Sequence, residues 1–182
     1  MENLLSITRI NGENAQIKTE EEAVEEIISS AVLKFRKRYP NIEVSVEMPP
    51  DFLMVSMDGI LIEQVLVNLL ENSVQHGKTT SRIWIHVLSE PSRITVQVQD
   101  NGQGIRESIL PVMFDGNFRP DEEQEFDGKR NMGIGLSVCK SIVNAHKGNM
   151  KAENNTTGAL ITFWLPVGKG ENDGYQGQNL NH

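Results

Sequence analysis

Leu61–Gly77 reads LIEQVLVNLLENSVQHG, and its two periodicities decide the fold. Ile62, Val65, Leu66 and Leu69 recur at helical spacing, so one face packs on a core. Gln64, Asn68, Glu71, Asn72 and Gln75 fall at i, i+4, i+7, i+8 and i+11 and form a polar stripe along the same helix. Asp58, just before the apolar run, is the expected N-cap. A merely solvated face is usually built from Lys and Glu. Two Asn one turn apart are weak helix formers, each costing roughly half a kcal/mol relative to Ala. Amide oxygens at that spacing can instead grip a hard cation and the phosphates it bridges.

Working outward, Thr19 with Glu22 reads as a capping box opening a helix that ends near Tyr39, before Pro40. Ile42, Val44 and Val46 alternate with polar residues as a strand does, and Phe52–Met57 reads as a second strand. Ile83, Ile85 and Val87, then Ile94, Val96 and Val98, flank Glu90-Pro91-Ser92 and predict a hairpin. A short helix is predicted over Glu107–Met113. Asp115–Met132, with two Gly, one Pro, six acids and three bases, has a loop's composition. Helical spacing returns over Gly133–His146, and strands follow at Met150–Glu153 and Leu160–Leu165. Gly168–His182 is poor in apolar residues and is expected to be disordered. These elements predict an α/β sandwich of one mixed sheet with helices on one face.

Composition removes several functions. The 182 residues suffice for one domain with a core and flanking material. A net charge of −8 argues against a broad phosphate-backbone interface with nucleic acid. Cys139 is the single cysteine, so there is neither a disulfide framework nor a Cys/His zinc cluster. No apolar run approaches membrane-spanning length. A soluble chain from a reducing compartment is expected, with no membrane contact of its own.

Two glycine motifs carry the chemistry. Asp100-Asn101-Gly102-Gln103-Gly104-Ile105 ends a strand. Its glycines admit φ > 0 and close approach of a flat ligand, and Asp100 can accept a hydrogen bond from an exocyclic amine. Gly133-Ile134-Gly135-Leu136 opens a helix, where backbone N–H groups and the dipole suit phosphate. A dinucleotide fold needs this motif directly after a strand, and a Walker A loop needs a following Gly-Lys-Ser/Thr. Neither condition is met.

Asn68 and Asn72 on a helix, Asp-x-Gly-x-Gly, Phe114 and Phe118, then Gly-x-Gly-Leu, in that order, resemble the catalytic, ATP-binding domain of sensor histidine kinases. That domain shares its superfamily (GHKL) with gyrase B, Hsp90 and MutL. The resemblance covers about residues 19–166, includes the ending GALITFWLP, and looks nearest to potassium-sensing KdpD-type kinases. It implies the Bergerat-type ATP-binding fold, with ATP and Mg²⁺ as ligands. Asn68 and Asn72 would form the N box, with Asn72 the Mg²⁺ ligand and Gln75 and His76 beside it. Asp100 would bind the adenine amine, and Gly102, Gly104 and Ile105 would shape its pocket. Phe114 and Phe118 would be the F box, residues 115–132 the ATP lid, and Gly133, Gly135 and Leu136 the second glycine box.

Two departures stand out. Gln75-His76 replaces the usual Lys-Tyr, and Asn131 replaces a glycine. Arg119, Lys129 and Arg130 of the lid are the candidates for the missing positive charge. Related ATPases carry a water-activating Glu where Asn68 stands. An amide cannot act as that base, although Glu71 lies on the same helix, so Asn68 and Glu71 are the candidate catalytic pair.

The resemblance further implies γ-phosphoryl transfer to a histidine on an upstream dimerisation domain, within a homodimeric two-component kinase that serves a response regulator. The cytoplasm is the expected location, with the parent protein anchored in the membrane or free of it. His76, His86, His146 and His182 lack a phosphoacceptor's context. Residues 1–14 read as the end of a truncated dimerisation helix and linker, 15–167 as the ATP-binding domain, and 168–182 as a tail. Two alternatives stay open: an ATPase of the gyrase B type, and a nucleotide-responsive interaction module.

Overall fold

The alternating apolar strands of residues 82–100 and 149–166 can each bury one face, and helices must cover that face. A computed structural model describes residues 17–115 and 132–168, apart from the side chains of 132–134. Its elements are β1 (Glu20–Ala23), α1 (Val24–Arg38), β2 (Glu43–Glu47), β3 (Met54–Met57), α2 (Gly59–Gly77), β4 (Arg82–Glu90), β5 (Arg93–Asp100), α3 (Met132–Ala145), β6 (Asn149–Asn154) and β7 (Ala159–Pro166). The flanking segments and most of the lid, with Phe118, Arg119, Lys129, Arg130 and Asn131, lie outside the described residues.

A five-stranded mixed sheet runs β2-β4-β5-β7-β6. β2 is parallel to β4, with Val44 opposite Ile83, and the other neighbours are antiparallel. Glu90 pairs with Arg93 across the Pro91–Ser92 turn, as the hairpin reading requires. Ile83, Ile85, Val87, Ile94, Val96, Val98, Ile161, Phe163 and Leu165 are all buried, the in-facing half of each strand's alternation. α1, α2 and α3 cover this face with Ile28, Phe35, Leu66, Leu69, Leu70 and Ile142.

Three local readings are corrected. Residues 20–23 form a strand, and Ala23 stands at the N-cap of α1 without a side-chain cap bond. The Thr19/Glu22 signal is local, and pairing with β3 (Glu20 opposite Met57, Ala23 opposite Met54) overrides it. Val24 N–H donates instead to Leu53 O at 3.0 Å. β3 is also shorter than the predicted strand and pairs with β1 in a separate two-stranded ribbon, so the strands do not all share one sheet. Residues 107–113 form turns rather than a helix, with Ile109 N–H donating to Arg106 O at 2.8 Å.

Candidate nucleotide site

Asp58 caps α2 as expected, its Oδ1 accepting from Leu61 N–H at 3.1 Å. Its own N–H donates to His146 Nε2 at 2.9 Å. His146 Nδ1 lies 2.8 Å from Ile142 O, so the proton sits on Nδ1 and the buried ring caps the end of α3. Further along, Asn68 Nδ2 lies 3.6 Å from Cys139 Sγ. The contacts 58–146 and 68–139 run in opposite order along the two helices. α2 and α3 are therefore antiparallel, and the first turn of α3 lies alongside the C-terminal half of α2. That half carries Asn72, Gln75 and His76. Gly135 is one turn before Cys139 on the same side of α3, and a Cβ there would meet no atom of the described residues within 4 Å.

The chemistry of the polar stripe is uneven. Asn68 and Asn72 are half-buried on neighbouring turns. With Nδ2 of Asn68 turned to the thiol, its Oδ1 is the atom left for a ligand. Glu71 is not brought to Asn68's side: its carboxylate binds Arg38 of α1 at 2.7 Å. Glu63 likewise faces α1. Burial works to raise its pKa, but hydrogen bonds from Lys34 and Ser30 outweigh this and hold it below the usual carboxylate value. Cys139 is fully buried, and burial pushes its thiol up to about 12, so it serves as packing and as Asn68's partner.

The motif from Asp100 to Ile105 is built differently from its sequence reading. Only Gly104 of its two glycines has positive φ, at 77°. Gly102 is needed for close approach: a Cβ there would lie 2.6 Å from Gly77 Cα. Asp100 is 3% exposed. Its Oδ1 accepts from Gly102 N–H at 2.8 Å and from Ala159 N–H at 3.3 Å. Asn154, at the end of β6, brackets Ile105, with Oδ1 accepting from Ile105 N–H at 2.8 Å and Nδ2 donating to Ile105 O at 2.6 Å. Asn101 Oδ1 accepts from Ser81 and Arg82 N–H, both at 3.0 Å. Asn101, Asn154, Gly158 and Thr80 were not singled out in the sequence. GALITFWLP held a signal for Gly158, and nothing local marked the other three.

Leu136 is a core residue, and Phe114 packs against the same core with Lys140 Nζ 5.7 Å from its ring centroid. Lys140 also donates to Met150 O at 2.8 Å, tying α3 to β6.

Gln75 is exposed, and His76 is largely buried with Nε2 unpartnered. Burial lowers the His76 pKa from 6.5 to about 4, so at neutral pH neither residue brings a positive charge. The unfolded chain binds this proton near pH 6.5 and the folded chain only near 4. The stability contribution is therefore complete above pH 6.5 and lost as pH falls through that window, by on the order of 2 kcal/mol after allowance for solvent screening. Urea midpoints of wild type and His76→Gln at pH 7 and pH 4.5 check this. The wild type should lose more stability than the variant, and equal losses would refute it.

Among the described residues no group of three or more His, Cys, Asp and Glu is placed to hold a metal. The donor set beside α3 consists of amide oxygens. It fits a hard cation that draws its remaining ligands from phosphate and water rather than from the protein.

Comparison with known proteins bears on the same residues. The family described as histidine kinase-, DNA gyrase B- and HSP90-like ATPase matches residues 57–169, from β3 through β7. The chain belongs to this family. The family's ATP-binding domain covers both glycine motifs and the amide stripe of α2. Within the family, the chain is 42% identical over 167 residues to the sensor protein KdpD of Clostridium acetobutylicum, covering 91% of this chain and 18% of that protein. It is 31% identical to KdpD of Escherichia coli, again spanning 18% of it. The catalytic domain of the histidine kinase ThkA superposes with a TM-score of 0.69 at 26% identity, covering 83% of this chain and 97% of ThkA's domain. The chain thus spans under a fifth of the length of the KdpD relatives. No helix among the described residues is long and apolar enough to cross a membrane.

Proposed function

We propose that this chain is the ATP-binding catalytic domain of a KdpD-like sensor histidine kinase. In this reading it presents the γ-phosphoryl of Mg-ATP to a histidine of a dimerisation domain elsewhere in the parent protein. The observation that carries this is Asp100. Its Oδ1 is committed to two backbone amides. The carboxylate is thereby held rigid and buried, and Oδ2 is assigned to the exocyclic amine of adenine. Gly104 and the Asn154-bound Ile105 form the loop over which the ring lies.

Asn68 and Asn72 would hold Mg²⁺ by their amide oxygens, with Asn72 the primary ligand. That ion would neutralise phosphate charge. The N–H groups of the first turn of α3, at Gly133 and Gly135, would receive phosphate oxygens, and the open space at Gly135 supports that approach. With Gln75 and His76 uncharged, cationic contacts fall to Arg119, Lys129 and Arg130. Catalysis is then positioning and charge neutralisation, as in other phosphoryl transfers. Asn68 cannot deprotonate water, and Glu71 is occupied by Arg38. Both points favour transfer to a protein acceptor over hydrolysis. The intact protein would act as a homodimer and pass the phosphoryl group to a response regulator. In support of that partner, the histidine kinase ThkA has been solved in complex with the response regulator protein TrrA.

The deciding experiment joins this chain to a dimerisation domain of a KdpD relative and supplies γ-labelled ATP. Acid-labile label should appear on the dimerisation domain's histidine. The chain alone should neither label itself nor turn over ATP at rates approaching about 1 s⁻¹. Rapid Mg-dependent hydrolysis without transfer would overturn the kinase reading in favour of an ATPase.

A further inference from the structure

The nucleotide reading assigns one set of contacts to α2 and another to the loop after β5. These elements meet at a junction that the family motifs do not describe. Thr80 is buried, and its Oγ1 donates to Ser73 O at 2.7 Å, tying the residue to the C-terminal part of α2. The same hydroxyl occupies the space beside two glycines. A Cβ on Gly77 would lie 1.8 Å from Thr80 Oγ1, and one on Gly102 would lie 2.6 Å from it. Gly77 O in turn accepts from Gln103 N–H at 3.2 Å. Gln103 Nε2 donates to His76 O at 3.1 Å. The loop between Asp100 and Gly104 is therefore fastened to the end of α2 by hydrogen bonds from Gln103, with the Thr80 hydroxyl packed beside both glycines where the two backbones meet.

We propose that Thr80 and Gln103 are positioning residues for nucleotide recognition. They fix the separation between the base-binding carboxylate Asp100 and the amide stripe of α2, so that one nucleotide can reach both. Neither residue touches the ligand in this scheme. Their substitutions act by letting the loop slide on the helix end. This inference rests on the nucleotide reading above, and its test is arranged so that the two fail separately.

Calorimetry with ADP, at a temperature well below each variant's own unfolding midpoint, removes effects of global stability. Thr80→Val keeps the shape and deletes the hydroxyl, and it should raise the ADP Kd about tenfold. Thr80→Ser should restore wild-type binding. Gln103→Ala, at an exposed position where folding is safe, should weaken ADP severalfold even if Thr80→Val does not fold. Both weakened variants should also discriminate less between ADP and GDP, a readout that a purely structural role would leave unchanged. Wild-type ADP affinity and base selectivity in Gln103→Ala, and in Thr80→Val where it folds, would overturn the inference alone. Failure of the wild-type chain to bind ADP would overturn the nucleotide reading and the inference with it.

Discussion

Asp100→Ala is expected to raise the ADP Kd about ten- to a hundredfold, the worth of one buried charge-assisted hydrogen bond. Asp100→Asn is the sharper probe. The amide oxygen can keep the Gly102 and Ala159 N–H bonds that now end on Oδ1. The amide NH₂ would then occupy the place of Oδ2 and confront the adenine amine donor to donor. The fold should survive while binding fails, which separates recognition from stability. Isothermal calorimetry with ADP on both variants, alongside their urea midpoints, provides the check. Unchanged affinity in either folded variant would remove Asp100 from the base site.

The sequence made α2 legible because its apolar and amide periodicities are both local. It made the β4–β5 hairpin legible because the alternation on each side of Pro91–Ser92 is unambiguous. Thr19 and Glu22 misled for the opposite reason. A capping box is worth about 1 kcal/mol, and a neighbouring strand offered residues 20–23 a ladder of hydrogen bonds that no local signal announces. The candidate site was legible where a motif acts alone, as at Asp100. It was illegible where residues act through contacts made across the fold. Gly102 looked like a turn glycine, yet what it needs is room beside Gly77, 25 positions earlier in the chain. Gln103 carried no signal at all. Glu71 looked like part of the amide stripe. Three residues on a helix leave a net offset of only about 60°, and the Arg38 guanidinium draws the Glu71 carboxylate across that offset to α1.

Gly158→Ala should damage nucleotide binding as much as loss of Asp100 does, although residue 158 carries no functional group. A Cβ there would lie 2.5 Å from Asp100 O, 2.8 Å from Asp100 Oδ1 and 3.0 Å from Gly102 N. Two of these three atoms are backbone and cannot swing aside as a side-chain tip can. The strands that carry them are held in register, with Gln99 opposite Leu160. Relief therefore requires the carboxylate to rotate or the end of β5 to lift, at about 1–3 kcal/mol for overpacking. Either movement breaks the Gly102 and Ala159 bonds that aim Asp100. Gly135→Ala is the contrasting case: among the described residues its Cβ would meet no atom within 4 Å. Stability there should hold or rise slightly with the better helix former. Any binding loss should fall on phosphate contacts, and hence on Mg-ATP analogues and ADP rather than adenosine. Urea unfolding and calorimetry with adenosine, ADP and a Mg-ATP analogue distinguish the two glycines. Wild-type adenosine and ADP affinity in Gly158→Ala would mean that the base site does not depend on how β7 seats Asp100. Adenosine loss in Gly135→Ala would place the first turn of α3 against the base instead of the phosphates.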